Sequence, residues 1–231
     1  MDIENETTIW DRGTLSFQKK MQPAALKIYR TVFPDCKLQE LKAEDGGVHP
    51  LDQHFAIDRV ITLSSGVTFS LQEKYRQNYY LRFMDFTQEY KNAHGTTNET
   101  KGEWFKLYAQ LYFYGWANKE ETAFEKWILM DITKYKIVVE QAGGLDQIGQ
   151  FNINEQYGGA SFYGIPIIKL DKAILKSNID GLSCNSSGAT KVTSKSMHLQ
   201  SFARLVTRVN KTKVQTGTIL VEKNGNQYDV L

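Results

Sequence analysis

"HFAIDRVITLSSGVTFSLQEKYR", residues 54–76, holds two β-rich runs on either side of Ser64-Ser65-Gly66. In the first run Phe55, Ile57, Arg59 and Ile61 alternate with Ala56, Asp58, Val60 and Thr62. In the second, Val67, Phe69, Leu71, Glu73 and Tyr75 alternate with Thr68, Ser70, Gln72, Lys74 and Arg76. Strand side chains repeat with period two, so Gln72 and Lys74 share a face and Glu73 points the other way. A Ser/Gly turn between such runs predicts an antiparallel hairpin. With the turn centred on Ser65, Asp58 and Gln72 are equally far from it and become cross-strand neighbours. Lys74 then lies diagonally beyond.

Outward from the hairpin, residues 15–33 read as a helix, with Leu15, Met21, Leu26, Ile28 and Phe33 as an apolar face. Pro23 marks where its regular part starts, and Pro34 ends it. Residues 43–50, AEDGGVHP, read as a loop. A third run, 80–92, reads as another strand of the same sheet, with Phe83, Asp85, Thr87 and Glu89 on one side. Residues 101–115 read as a helix running into a strand, 124–132 as a strand, 133–143 as a helix closed by glycines, and 159–170 as a strand. Residues 185–195 form a Ser/Thr/Gly loop, and the chain ends in a hairpin around Asn224-Gly225. The order is that of a mixed α/β sheet with an antiparallel front. It divides into an α/β core over 1–180 and a basic, β-rich C-terminal extension over 181–231.

The bulk numbers fit a folded chain: 231 residues, 41% hydrophobic and 23% charged. No apolar run is long enough to span a bilayer, and the acidic start MDIENETTIW is wrong for a secretory signal. Cys36 and Cys184 match no disulfide framework, and four scattered histidines no zinc signature. The expectation is a cytoplasmic protein without a membrane partner. Net charge is only +2. Residues 181–231, however, hold seven basic residues against two acids, the rest 21 against 24. That asymmetry fits either a polyanionic partner, met by Lys191, Lys195, Arg204 and Arg208, or a solvated surface.

An Asp on one strand and an amide and ammonium on its partner suit phosphodiester hydrolysis. The reaction needs a polarised phosphoryl oxygen, a more acidic water and a stabilised leaving group. A Mg²⁺ ion supplies the first two and prefers oxygen ligands with room for waters. A carboxylate, an amide oxygen and a backbone carbonyl make such a set, and an ammonium nearby can orient water and stabilise developing charge.

At this point the sequence resembles the restriction-endonuclease-like superfamily, whose signature is written PD-(D/E)xK. "AID" at 56–58 and "LQEKYR" at 71–76 give D-x13-Q-x-K, with Gln in place of the acid, a variant that the family also contains. The resemblance covers roughly residues 15–135. It implies an αβββαβ core and a DNA endonuclease dependent on Mg²⁺, with Mn²⁺ as substitute. Carried over by position, it makes Asp58, Gln72 and Lys74 the catalytic set. Asp58, Gln72 and the Glu73 carbonyl would be metal ligands, and Arg76, on the Lys74 face, a phosphate contact. A homodimer is compatible with cutting both strands.

Two departures stand out. Ile57 replaces the motif's proline, and no Glu lies within 15–33, where many relatives place another ligand. Glu40, Glu44, Asp52 and Glu89 are acids that could substitute. The other reading is a non-catalytic nucleic-acid-binding or assembly protein on the same fold with a decayed site. The aromatic and arginine cluster YRQNYYLRF reads either as a stacking and phosphate-contact surface or, more plainly for its tyrosines, as strand packing. LYFYGW at 111–116 reads as core.

Overall fold

The computed structural model describes residues 9–41, 49–155, 159–185, 219–223 and 226–230. In chain order its elements begin with α1 (Ile9–Val32), β1 (Lys37–Glu40), α2 (Pro50–Phe55), β2 (Arg59–Thr62) and β3 (Thr68–Arg76). A 3₁₀ turn, Asn78–Phe83, leads to β4 (Asp85–Asn92), β5 (Thr100–Lys101) and α3 (Glu103–Lys106). Then come β6 (Leu111–Ala117), β7 (Phe124–Asp131), α4 (Ile132–Ala142), α5 (Leu145–Ile148), β8 (Gln150–Asn154) and β9 (Ala160–Pro166). A second 3₁₀ segment, Ile167–Ala173, precedes β10 (Ile174–Ser177), followed by β11 (Ile219–Lys223) and β12 (Asn226–Val230).

The hairpin forms in the register that its turn dictates. Arg59 pairs with Leu71 and Thr62 with Thr68. Extended by one residue, that register sets Asp58 opposite Gln72. The Gly66 N–H donates to the Leu63 carbonyl at 2.9 Å, and its φ of +81° lies in the region that glycine enters without steric cost.

Six strands form one mixed sheet in the order β1-β2-β3-β6-β7-β10. β3 and β6 run parallel, from Leu71 beside Leu111 to Arg76 beside Trp116, and the other neighbours are antiparallel. A second sheet has the order β5-β4-β9-β8, and β11 and β12 pair with each other. The fold is thus mixed α/β, with a mixed sheet and flanking helices.

The third strand expected beside the hairpin, 80–92, is instead divided. Its first part is the 3₁₀ turn, and Met84, in the left-handed region at φ 45°, redirects the chain so that β4 enters the second sheet. Alternation tells which face a residue takes, not which strand lies beside it. The missing neighbour is β1, whose KLQE is too short and polar to signal a strand. The expected helix running into a strand at 101–115 is present as the single turn α3 followed by β6, and the expected strand at 124–132 and helix at 133–143 are present as β7 and α4.

Both faces of the six-stranded sheet are covered. On one, Phe17, Met21, Ala25, Tyr29 and Phe33, each four residues from the last, pack on Ile61, Phe69, Leu71, Tyr75, Phe113 and Leu129. On the other, Tyr112, Tyr114, Trp116 and Met130 meet Phe86, Leu107, Tyr135 and Ile165. The α1 stripe is therefore narrower than expected, with Leu26 and Ile28 only at its margin. Pro23 lies inside α1 on its exposed side, rather than at the start of the regular part. LYFYGW is entirely core, as every residue of β6 is buried. Among the described residues no helix is long and apolar enough to cross a membrane. Cys36 and Cys184 are free thiols.

Candidate functional site at the β2–β3 fork

β2 begins at Arg59, so among the described residues β3 pairs only with β6 from Gln72 onward. Asp58 stands at that fork. Its backbone N–H donates to the Leu71 carbonyl at 2.9 Å, and its Oδ2 accepts the Glu73 N–H at 2.6 Å. The carboxylate thus takes the place of the missing strand. In a strand, N–H and C=O of one residue face the same edge. The Glu73 carbonyl therefore also faces the Asp58 side.

Burial pushes the Asp58 carboxyl well above the usual carboxylate range, and the charges of Asp52, Glu73 and Glu103 push it the same way. The Glu73 N–H pulls it back in part. A cation at the fork would reverse this penalty.

The two faces of β3 separate the remaining groups. On the α1 face, the Glu73 carboxylate accepts from Tyr29 Oη at 2.6 Å and from Arg59 Nε and Nη2 at 3.2 and 3.3 Å. Arg59 is buried, so this ion pair is largely shielded from water. The pair fixes the Glu73 side chain away from Gln72 and Lys74.

On the opposite face Gln72 is buried, and its Oε1 has no hydrogen-bond partner. Such an oxygen costs about 1–3 kcal/mol unless something occupies it. Lys74 Nζ donates to the Thr87 carbonyl of β4 at 3.3 Å. Nearby lies Glu103 on α3, a buried carboxylate that accepts from Gln88 Nε2 at 2.9 Å and from Tyr112 Oη at 2.9 and 3.1 Å. Burial raises its pKa, while Lys74 acts to lower it and Glu89 to raise it. Glu103 was not singled out from the sequence. The signal was there in Gly102: a Cβ at that position would come within 2.7 Å of the Tyr90 backbone, so only glycine lets α3 lie this close to β4.

A cavity of about 580 Å³ opens on the α1 side of the fork. Glu40, Asp52, Asp58, Glu73 and Tyr75 line it, with Lys19 among the α1 residues. The structure therefore brings Asp58, Glu40 and Asp52 to one cavity. It puts Asp58 and Gln72 on one fork and turns the Lys74 ammonium toward β4. Glu89 lies near Glu103. Arg76, on the Lys74 face, stacks over the Tyr80 ring at 4.0 Å. Glu44, Lys191, Lys195, Arg204 and Arg208 lie outside the described residues, as does most of the 185–195 loop.

Do these residues fit Mg²⁺? The Asp58 carboxylate and the Glu73 carbonyl face the fork, and the unpartnered Gln72 oxygen lies on the face of β3 turned away from α1; all three are hard oxygens, the donor type that Mg²⁺ takes. The fit is a sparse one. Among the described residues no three His, Cys, Asp or Glu side chains converge as a metal-ligand group. Such a set would hold the ion with one charged ligand and several waters.

No family model, no curated protein and no solved structure matches the chain.

Proposed function

We propose that this protein is a metal-dependent DNA endonuclease of the restriction-endonuclease-like type, with its centre at the Asp58–Gln72 fork. One observation carries the reading: a carboxylate held by the Glu73 N–H and an unpartnered amide oxygen belong to residues that stand where two strands part. The chain order α1, β1, α2, β2, β3, β4, β5, α3, β6, with β3 and β6 parallel, reduces to αβββαβ once α2 and the second-sheet strands β4 and β5 are set aside as insertions, and that reduced order supports the reading. Bound Mg²⁺ supplies Lewis acidity toward the phosphate and a more acidic water. The chain's own part is to hold charge and position. The Glu73 N–H orients Asp58, and the Arg59–Tyr29 clamp keeps the Glu73 carboxylate off the fork. Lys74 offers an ammonium to the attacking water or the phosphate once it leaves the Thr87 carbonyl. Arg76 continues the cationic line along β3 toward the next phosphate.

The test is plasmid cleavage with Mg²⁺ or Mn²⁺, using Asp58→Asn and Lys74→Ala as controls. Nicked or linear product from the native chain alone is the expected result. Cleavage that persists in Lys74→Ala removes the mechanism.

One observation favours a second reading, a non-catalytic nucleic-acid-binding or assembly protein. Lys74 is already engaged by Thr87 and faces Glu103, not Asp58. Salt-sensitive DNA binding without cleavage under any divalent ion would select this reading.

A further inference from the structure

The 3₁₀ turn Asn78–Phe83 follows β3 directly, starting two residues after Arg76, and none of its residues is buried. Tyr79 is 60% exposed and Phe83 53%. Between them lies a guanidinium: Arg82 Cζ is 3.8 Å from the Tyr79 ring centre and 4.6 Å from that of Phe83. Arg82 Nη2 also donates to Tyr79 Oη. Tyr80 meets Tyr79 edge to face at 5.3 Å, and its ring carries Arg76 at 4.0 Å. The result is a ladder of rings and guanidinium groups, Arg76, Tyr80, Tyr79, Arg82 and Phe83. The turn itself contains no acid. Beside it, Asp85 feels the charge of Arg76, and Glu125 accepts from Asn78 Nδ2 at 3.3 Å. Neither is paired with Arg82.

Exposed aromatic faces beside cations suit a partner that carries flat rings on a polyanion. An apolar protein surface would gain nothing from the two arginines. In a duplex the base faces are already stacked on each other, so these rings would have nothing to cover. Unpaired bases have free faces, and their phosphates would meet Arg82 and Arg76. Arg76 also lies on the Lys74 face of β3.

We infer that the Asn78–Phe83 turn binds unpaired nucleotides, and that the substrate is DNA with a single-stranded segment. This rests on the DNA reading of the fork and narrows it.

The test is fluorescence anisotropy of the full chain in EDTA, where cleavage plays no part. The probes are fluorescein-labelled oligothymidylate, an abasic oligomer of equal length, and a duplex. Oligothymidylate should bind at least about fivefold tighter than the abasic oligomer. Tyr79→Ala combined with Phe83→Ala should erase that preference and leave abasic binding unchanged, while Tyr79→Phe should keep it. Arg82→Gln should weaken both single strands and flatten their salt dependence. Equal affinity for oligothymidylate and abasic oligomer overturns the inference. So does tightest binding to duplex, or light scattering that shows the patch joins two copies of the chain and loses them in the double variant. A chain that passes in EDTA yet cuts nothing with Mg²⁺ sinks the nuclease reading alone.

Discussion

The two faces of β3 carry adjacent residues with opposite fates. Toward α1, Glu73 is well partnered: a tyrosine hydroxyl and two guanidinium nitrogens donate to its carboxylate. Away from α1, Gln72 keeps a buried oxygen without a partner, and Lys74 holds a single carbonyl. An ion-pair network of this kind serves the fold, since breaking it leaves Arg59 buried without its counter-charge. An open polar set costs stability and is retained where something else completes it. The contrast ties the acid of Gln72-Glu73-Lys74 to the architecture and leaves its two neighbours as the residues that the proposed chemistry would use.

The largest expected effect falls on the closed face. Glu73→Ala leaves Arg59 buried without its counter-charge and should cost about 3–5 kcal/mol in urea unfolding. Combining Glu73→Leu with Arg59→Met should recover most of that loss, because the pair is then replaced rather than broken. If Glu73→Ala unfolds like the native chain, the two faces do not differ as described.

On the open face the effect should appear in rate rather than in folding. Lys74→Ala should lower cleavage by about a hundredfold or more in single-turnover assays. Its denaturation midpoint should move far less than that of Glu73→Ala.

Asp58 sharpens the contrast through pH. Its folded pKa is raised by burial, then by Asp52, Glu73 and Glu103. The folded state therefore binds its proton more tightly than the unfolded chain does. Stability linked to this group is full below the unfolded carboxylate pKa and is lost as pH rises through the folded value. Asp58→Asn should accordingly raise the melting temperature by a few degrees at neutral pH, with the gain vanishing toward pH ~4, near the unfolded carboxylate value. Added Mg²⁺ or Mn²⁺ should raise the melting temperature of the native chain and not of Asp58→Asn.

The smallest effect belongs to an exposed pair. Lys20 Nζ lies 2.8 Å from Glu121 Oε2, with side chains 51% and 30% exposed. Lys20→Ala should change unfolding by about 0–1 kcal/mol, far below its buried counterpart at Arg59.

The hairpin was legible because its information is local. A symmetric turn fixes the register, and period two fixes that Gln72 and Lys74 share a face. The helix 15–33 was legible in type but not in its contact stripe: Tyr29 joins that stripe because its hydroxyl reaches Glu73, a partner far along the chain. The strand 80–92 was misplaced because neighbour choice is decided by a left-handed residue at Met84, a conformation that methionine does not advertise. Glu103 was missed for a related reason. Four residues of α3 hold too little periodicity to show a face, and the burial of this acid depends on how closely Gly102 lets the turn approach Tyr90.

The parallel pairing of β3 with β6 has a consequence for refolding. Asp58 and Gln72 meet through a short, local turn, whereas Leu71 must wait for Leu111, forty positions later in the chain. Closing that longer span costs more chain entropy than closing the hairpin turn. During refolding the acid and amide can therefore come together at lower entropic cost than the pairing of β3 with β6, which brings in the wall bearing Thr87 and Glu103.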